Sequence, residues 1–389
     1  MKRRQTLAVL ASVALAAPLT VMAQSEPFKI GLILPMTGPF ASTGRQIDAA
    51  ARLYMAQNGA TVAGRKVELV LKDDQGLPDQ TRRIAQELVL NDKVSVLAGF
   101  GVTPAALAVG AIATQSKTPA VIMAAATSSI VGTSPYFVRT SYTLPQTSAT
   151  MAEWASKNKM KKFVTMVADY GPGLDAEKTF KERVLLNGGQ VVGEIRIPMR
   201  NPDFSPFLQR VRDLQPDAVF VFIPSGPAAA LMQQFTERGL DKSNIKLIGD
   251  IGVTDDDLLN DMGNASLGVV TAGHYSTAHE SPANKKFVDA FNAANKGMRP
   301  NFMAVAGYDG MRVIYKALEA TKGKGGGDAL LAAMKGQTFE SPRGPILIDA
   351  QTRDIVQDIY IRRVERKNGQ LWNVEFDTVP GVKDPARGG

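Results

Sequence analysis

Two places in the 389-residue chain put hydroxyl side chains where a strand gives way to a helix. Residues 94–98 form a short β-branched run that stops at Gly99-Phe100-Gly101. Thr103-Pro104 then opens an Ala-rich helix, with the threonine as N-cap and the proline in the first turn. Residues 119–123 form a second buried-strand run, closed by Ala124-Ala125-Ala126-Thr127-Ser128-Ser129. Were the two strands parallel neighbours, free backbone N–H groups and hydroxyls would stand side by side at their tips. That arrangement suits a carboxylate or a phosphate and nothing cationic. The same residues also suit ordinary capped turns of an α/β fold.

Catalytic chemistry has little to stand on, and no enzyme activity is expected. The two histidines, His274 and His279, are five apart, a spacing that does not place two ligands on one helical face. No Gly-x-Ser-x-Gly elbow and no phosphate-cradling Gly-x4-Gly-Lys-Ser/Thr occurs, and Pro224-Ser225-Gly226 lacks the leading glycine. Gly99-Phe100-Gly101 begins like a dinucleotide fingerprint, but Pro104 stands where its third glycine belongs. Asp255-Asp256-Asp257 reads as a helix N-terminal cap rather than a metal site. Neither cofactor nor metal is expected.

The first residues point to export. Lys2-Arg3-Arg4 is a basic start, 7–19 is an apolar run too short to span a bilayer comfortably, and Val21-Met22-Ala23 offers small residues at a cut. Residues 1–23 are expected to be a signal peptide, cleaved after about Ala23, with a periplasmic destination. Cysteine is absent, which excludes disulfides, thiolate catalysis and a lipid-modified cysteine. Loss of the leader takes away three basic and no acidic residues, leaving 42 against 37, an excess of +5. The lysines at 157, 159, 161 and 162 are not interleaved with aromatics, so no nucleic-acid partner is expected.

The elements that must hold these tips repeat. Strand runs at 28–34, 64–74, 94–98, 119–123 and 136–141 alternate with helical stretches, which requires a parallel sheet with right-handed crossovers. The plan restarts with strands at 162–167, 190–197, 218–223, 245–249 and 267–272. Helices follow near 282–295, 304–321 and 329–335, and the end, at 344–349, 357–365 and 370–378, is strand-rich. The chain is therefore α/β with two lobes on one plan, and several crossings between them make a hinge that a ligand can hold closed.

In order and spacing the motifs resemble the Leu/Ile/Val-binding family of periplasmic solute-binding proteins, the type I two-lobed receptors of ABC importers. The matching residues are Ile30-Gly31, Pro35-Met36-Thr37-Gly38-Pro39, Leu71-Lys72-Asp73-Asp74, Gly99 with Thr103, Ala125-Ala126-Thr127-Ser128, Arg139-Thr140, Asp169-Tyr170-Gly171 with Gly173, and Pro282-Ala283-Asn284. The resemblance implies a type I periplasmic binding protein, two doubly wound parallel-sheet lobes joined by a three-crossing hinge. The lobes would comprise 27–143 plus 275–355, and 144–274 plus 356–380. It implies a receptor that serves an inner-membrane ABC permease, and a monomer is the simplest expectation for a cleft that must open.

Carried over, the family's carboxylate grip falls on Thr103 and on the backbone and hydroxyls of Ala125, Ala126 and Thr127. Tyr170 matches the aromatic that the second lobe brings onto the ligand. Phe40 and Thr43 wall the same pocket, and Tyr275, at the second crossing, is a further candidate. The position where amino-acid-binding members carry a carboxylate for the ligand ammonium aligns with Ile251. A buried ammonium without its partner costs about 3–5 kcal/mol, two to three powers of ten in affinity. The expected ligand is a small carboxylate without an α-amino group, with aromatic or branched apolar acids favoured by Phe40, Tyr170, Ile251 and Tyr275. The alternatives are branched-chain amino-acid binding, with Asp250 as the ammonium partner if the alignment slips by one, and a ligand-sensing receptor domain.

Overall fold

In the computed structural model, which describes residues 26–199 and 202–387, the strand runs assemble into two sheets. The six-stranded sheet runs β2 (Thr61–Val62), β3 (Arg65–Asp73), β1 (Phe28–Leu34), β4 (Val96–Gly99), β5 (Ala120–Ile122), β6 (Phe137–Arg139). Apart from β2 its strands are parallel. The nine-stranded sheet runs β12 (Thr338–Ser341), β13 (Gly344–Ile348), β14 (Ile355–Lys367), β11 (Val270–Gly273), β10 (Lys246–Asp250), β9 (Ala218–Phe222), β7 (Lys162–Ala168), β8 (Gln190–Ile197), with β15 (Gln370–Val382) on β14. Its segment β11-β10-β9-β7-β8 is parallel. Each parallel set, with the helices on its two faces, is one lobe.

The central strands are apolar on both faces because helices cover both. Phe28, Ile30 and Leu32 of β1 belong to one core layer and Ile33 to the opposite one. The helices are α1 (Ala41–Asn58), α2 (Pro78–Leu90), α3 (Thr103–Ser116), α4 (Leu144–Lys157), α5 (Gly171–Leu186), α6 (Ser205–Leu214), α7 (Ala228–Glu237), α8 (Leu259–Met262), α9 (Pro282–Ala294), α10 (Phe302–Ala320) and α11 (Gly327–Met334). Proline at the first or second position of α2, α3, α4, α5, α6 and α9 marks six of these starts, where its missing N–H costs nothing.

Strand order fixes where a ligand can enter. In the first lobe β1 lies between β3 and β4, so connections leave it to opposite sides; in the second lobe β7 holds the same place between β8 and β9. Both are switch points of open α/β sheets, where crevices form beyond the strands' carboxyl ends. At β4 the crevice depends on Gly99, whose φ of +106° and approach to the Ile33 carbonyl leave no room for a Cβ.

Three sequence expectations change. Thr103 is the first residue of α3 rather than its cap; Val102 takes the cap position without a side-chain bond, and the threonine hydroxyl turns to Thr127 instead. Asp255 and Asp256 do not cap a helix: they are buried, Asp255 accepting from Asn301 and Asp256 from Asn373. Strand β12 lies where the sequence showed no strand. The expected signal peptide and its cut after Ala23 lie outside the described residues. Among those residues no helix is long and apolar enough to cross a membrane.

Candidate ligand-binding site

A cavity of about 740 Å³, its mouth included, lies between the two switch points. The first lobe lines it with Pro39, Phe40, Ser42 and Thr43 after β1, Gly101 to Thr103 after β4, Ala124 to Ala126 after β5, and Tyr142 after β6. The second lobe supplies Tyr170 and Pro172 after β7, Phe222 to Gly226 after β9, and Asp250, Gly252 and Asp255 after β10. The start of α10 adds Phe302 and Met303.

At the first-lobe end the hydroxyls of Thr103 and Thr127 are 2.9 Å apart, as adjacent parallel strand tips require. Beneath them Arg139, fully buried, donates to the carbonyls of Ala125 at 3.0 Å and Thr127 at 2.9 Å, and through Nε to Asp354 at 2.6 Å. In a trans peptide C=O and N–H point opposite ways. Arg139, holding the Ala125 carbonyl, therefore turns the Ala126 N–H away from itself, and that N–H has no protein partner among the described residues. The first turn of α3 adds its own positive dipole end. The Ala125 N–H, by contrast, is already spent on the Phe100 carbonyl.

The opposite wall is aromatic. Tyr170 and Phe222 stack at 6.1 Å and 27°. Burial and the charge of Asp250 push the Tyr170 phenol well up, so it stays neutral. A Cβ added to Gly171 would lie at ordinary contact distance, 3.7 Å from Thr127 Oγ1 and 3.8 Å from Thr103, so the start of α5 sits directly against the tips.

The sequence placed Thr103, Ala125, Ala126, Tyr170, Phe40 and Thr43 together, and all six line the cavity. Thr127 is one step behind, reaching it through Thr103. Ile251 and Tyr275 are not there. Ile251 is buried against Gly273, whose added Cβ would collide with it, and Tyr275 is buried with its hydroxyl on Asn284 at 3.0 Å. The β10 residue at the cavity is Asp250, one position earlier, because neighbours along an extended chain face opposite ways. Its carboxylate accepts from Thr147 at 2.7 Å, Tyr142 at 3.1 Å and the Gly252 N–H at 3.2 Å. Burial raises its pKa, against the pull of these three bonds. Tyr142 and Phe222 were missed, although each closes a strand run; Phe302 and Met303 carry no signal in the sequence.

The lobes meet around the cavity. Ser128 N–H donates to Asp175 of α5 at 2.8 Å, Tyr142 reaches Asp250, and Asn301 holds Asp255 at 2.9 Å.

This fold, with a cavity closed between two lobes, defines a bilobal binding protein. The chain belongs to the periplasmic binding protein family, whose description matches residues 27–370. It is 43% identical over 98% of both chains to Leu/Ile/Val-binding protein homolog 6 of Brucella abortus (strain 2308). It is 58% identical, with a TM-score of 0.91 over 93% of this chain and 99% of the other, to a solute-binding protein of an ABC transporter from Rhodopseudomonas palustris BisB5 solved with 3,4-dihydroxybenzoic acid. A second R. palustris solute-binding protein, solved with 4-hydroxybenzoate, is 38% identical with a TM-score of 0.90 over 92% of this chain and 98% of the other.

Proposed function

We propose that the protein is the periplasmic receptor of an ABC importer and binds an aromatic carboxylate without an amino group. The observation that carries this reading is the polarity of the cleft. An anion seat of Thr103 and the Ala126 N–H faces an aromatic wall, and of the two carboxylates on that side Asp250 already holds three donors and Asp255 is held by Asn301. Phe40, Thr43, Ala125, Ala126 and Tyr170 surround the ligand, and Thr127 braces Thr103. The bound acids of the R. palustris relatives have this chemistry. No covalent step is involved: the protein closes on its ligand, is not an enzyme, and delivers the acid to an inner-membrane permease as a monomer. The hinge divides 27–143 plus 275–355 from 144–274 plus 356–380, and export follows cleavage after about Ala23.

Asp250 at the cavity favours a second reading, branched-chain amino-acid binding, in keeping with the names of the Brucella relatives. The three donors on Asp250 leave it one acceptor position, enough for a single hydroxyl but not for the several N–H groups of an ammonium. Calorimetric titration of the mature protein decides between them: 4-hydroxybenzoate should bind tightly and L-leucine at least about a hundredfold more weakly. Tight leucine binding would reverse the assignment.

A further inference from the structure

Tyr142 runs along the cavity wall from one end of the site to the other. Its carbonyl accepts from Arg139 Nη1 at 3.2 Å, the same nitrogen that holds the Ala125 carbonyl at 3.0 Å, so its backbone stands beside the anion seat. Its hydroxyl ends on Asp250. The ring is fixed between them, 4.9 Å from His274 and edge-on to Phe302 at 6.0 Å. The distance from the seat to Asp250 is thus one tyrosine side chain. A 4-hydroxybenzoate has the same skeleton from carboxyl carbon to hydroxyl that tyrosine has from Cβ to hydroxyl.

Asp250 also has capacity to spare. A carboxylate offers roughly four acceptor positions, and three are filled, by Thr147, Tyr142 and Gly252. Resting on the aromatic-acid reading above, we infer that Asp250 is a specificity residue that accepts a hydrogen bond from a hydroxyl opposite the carboxylate of the ligand, and that Tyr142 sets the spacing. The preferred substrates are para-hydroxylated aromatic acids, not unsubstituted ones. A ligand that stops short leaves the last acceptor position empty, and one that carries a capped oxygen there presents an acceptor to an acceptor.

The test needs only the wild-type protein and a ligand series in calorimetry: benzoate, 4-hydroxybenzoate, 4-methoxybenzoate and 3-hydroxybenzoate. The para-hydroxyl acid should bind about tenfold or more tightly than benzoate and 4-methoxybenzoate, a hydrogen bond to a charged acceptor being worth that much, with 3-hydroxybenzoate weaker than its para isomer. In Asp250→Asn the ratio of benzoate to 4-hydroxybenzoate dissociation constants should fall toward one, while in Tyr142→Phe, which keeps the carboxyl and empties another acceptor position, it should persist. Equal binding of benzoate and 4-hydroxybenzoate by the wild type overturns this inference and leaves the aromatic-acid reading standing. Binding of none of the four acids overturns both. A ratio unchanged in Asp250→Asn also overturns it.

Discussion

Single residues near the seat divide between those that touch a ligand and those that hold them. Thr103 lies in the cavity wall, while Thr127 acts through it and Arg139 through the peptide groups it pulls. Thr103→Ala should weaken an acid ligand by about 1–3 kcal/mol and Thr127→Ala by less, with the double variant little worse than Thr103→Ala, because the hydroxyls share one bond. Calorimetry on the three variants checks this. The sequence showed the threonines at two strand tips, where they also suit ordinary capped turns; the family resemblance is what singled them out. It did not show which of Asp250 and Ile251 faces the cavity: a slip of one residue in an extended segment exchanges the faces. Nor did it show that Tyr275 would be spent on Asn284, a partner nine residues away in a buried turn.

His279 illustrates a residue bound to a strand far along the chain. Its Nδ1 is 2.8 Å from Glu375 of β15. Burial works against the imidazolium, but the Glu375 bond and charge, with Glu340 and Asp358 behind, outweigh it and raise its pKa. A raised histidine stabilises the fold fully below its ordinary value of about 6.5 and loses that contribution as pH climbs through the folded value. The melting-temperature advantage of wild type over His279→Gln should therefore be complete below about pH 6.5 and shrink above it. A constant difference across that range would remove the ion pair from the account.

Among elements, α5 carries the second lobe to the first. Its Asp175 accepts the Ser128 N–H, and Asp384, after β15, accepts the Ser128 hydroxyl at 2.5 Å, so one serine is clasped from two sides. Burial raises the Asp175 pKa although the Ser128 bond opposes it. These contacts exist only with the lobes together and lie outside the cavity lining. Asp175→Ala should lower apparent ligand affinity about five- to thirtyfold, the loss of a charged hydrogen bond from the closed form. Small-angle scattering should show a larger open fraction without ligand. The strands of the two parallel sets and their order of appearance were legible because short apolar runs between turns leave little choice, whereas β12 carries no such run. The closing contacts were not, since Ser128 and Asp384 are 256 positions apart.

At the scale of the molecule, three fully buried arginines tie distant segments together: Arg139 with Asp354, Arg343 with Asp309, and Arg362 with Asp256. Buried pairs add little net stability but penalise every arrangement that separates them. Each therefore favours the pairing of distant segments seen here over alternatives. The two-lobe plan was visible in the restart of the strand pattern at residue 162, whereas the pairing of these charges depends on distances no local pattern encodes.

The most direct test is a crystal structure of the protein with 4-hydroxybenzoate. The carboxylate should lie within hydrogen-bond reach of Thr103 Oγ1 and the Ala126 N–H, with the ring against Tyr170 and the hydroxyl at Asp250. A ligand turned end for end, or a carboxylate held by the second lobe, would contradict the account.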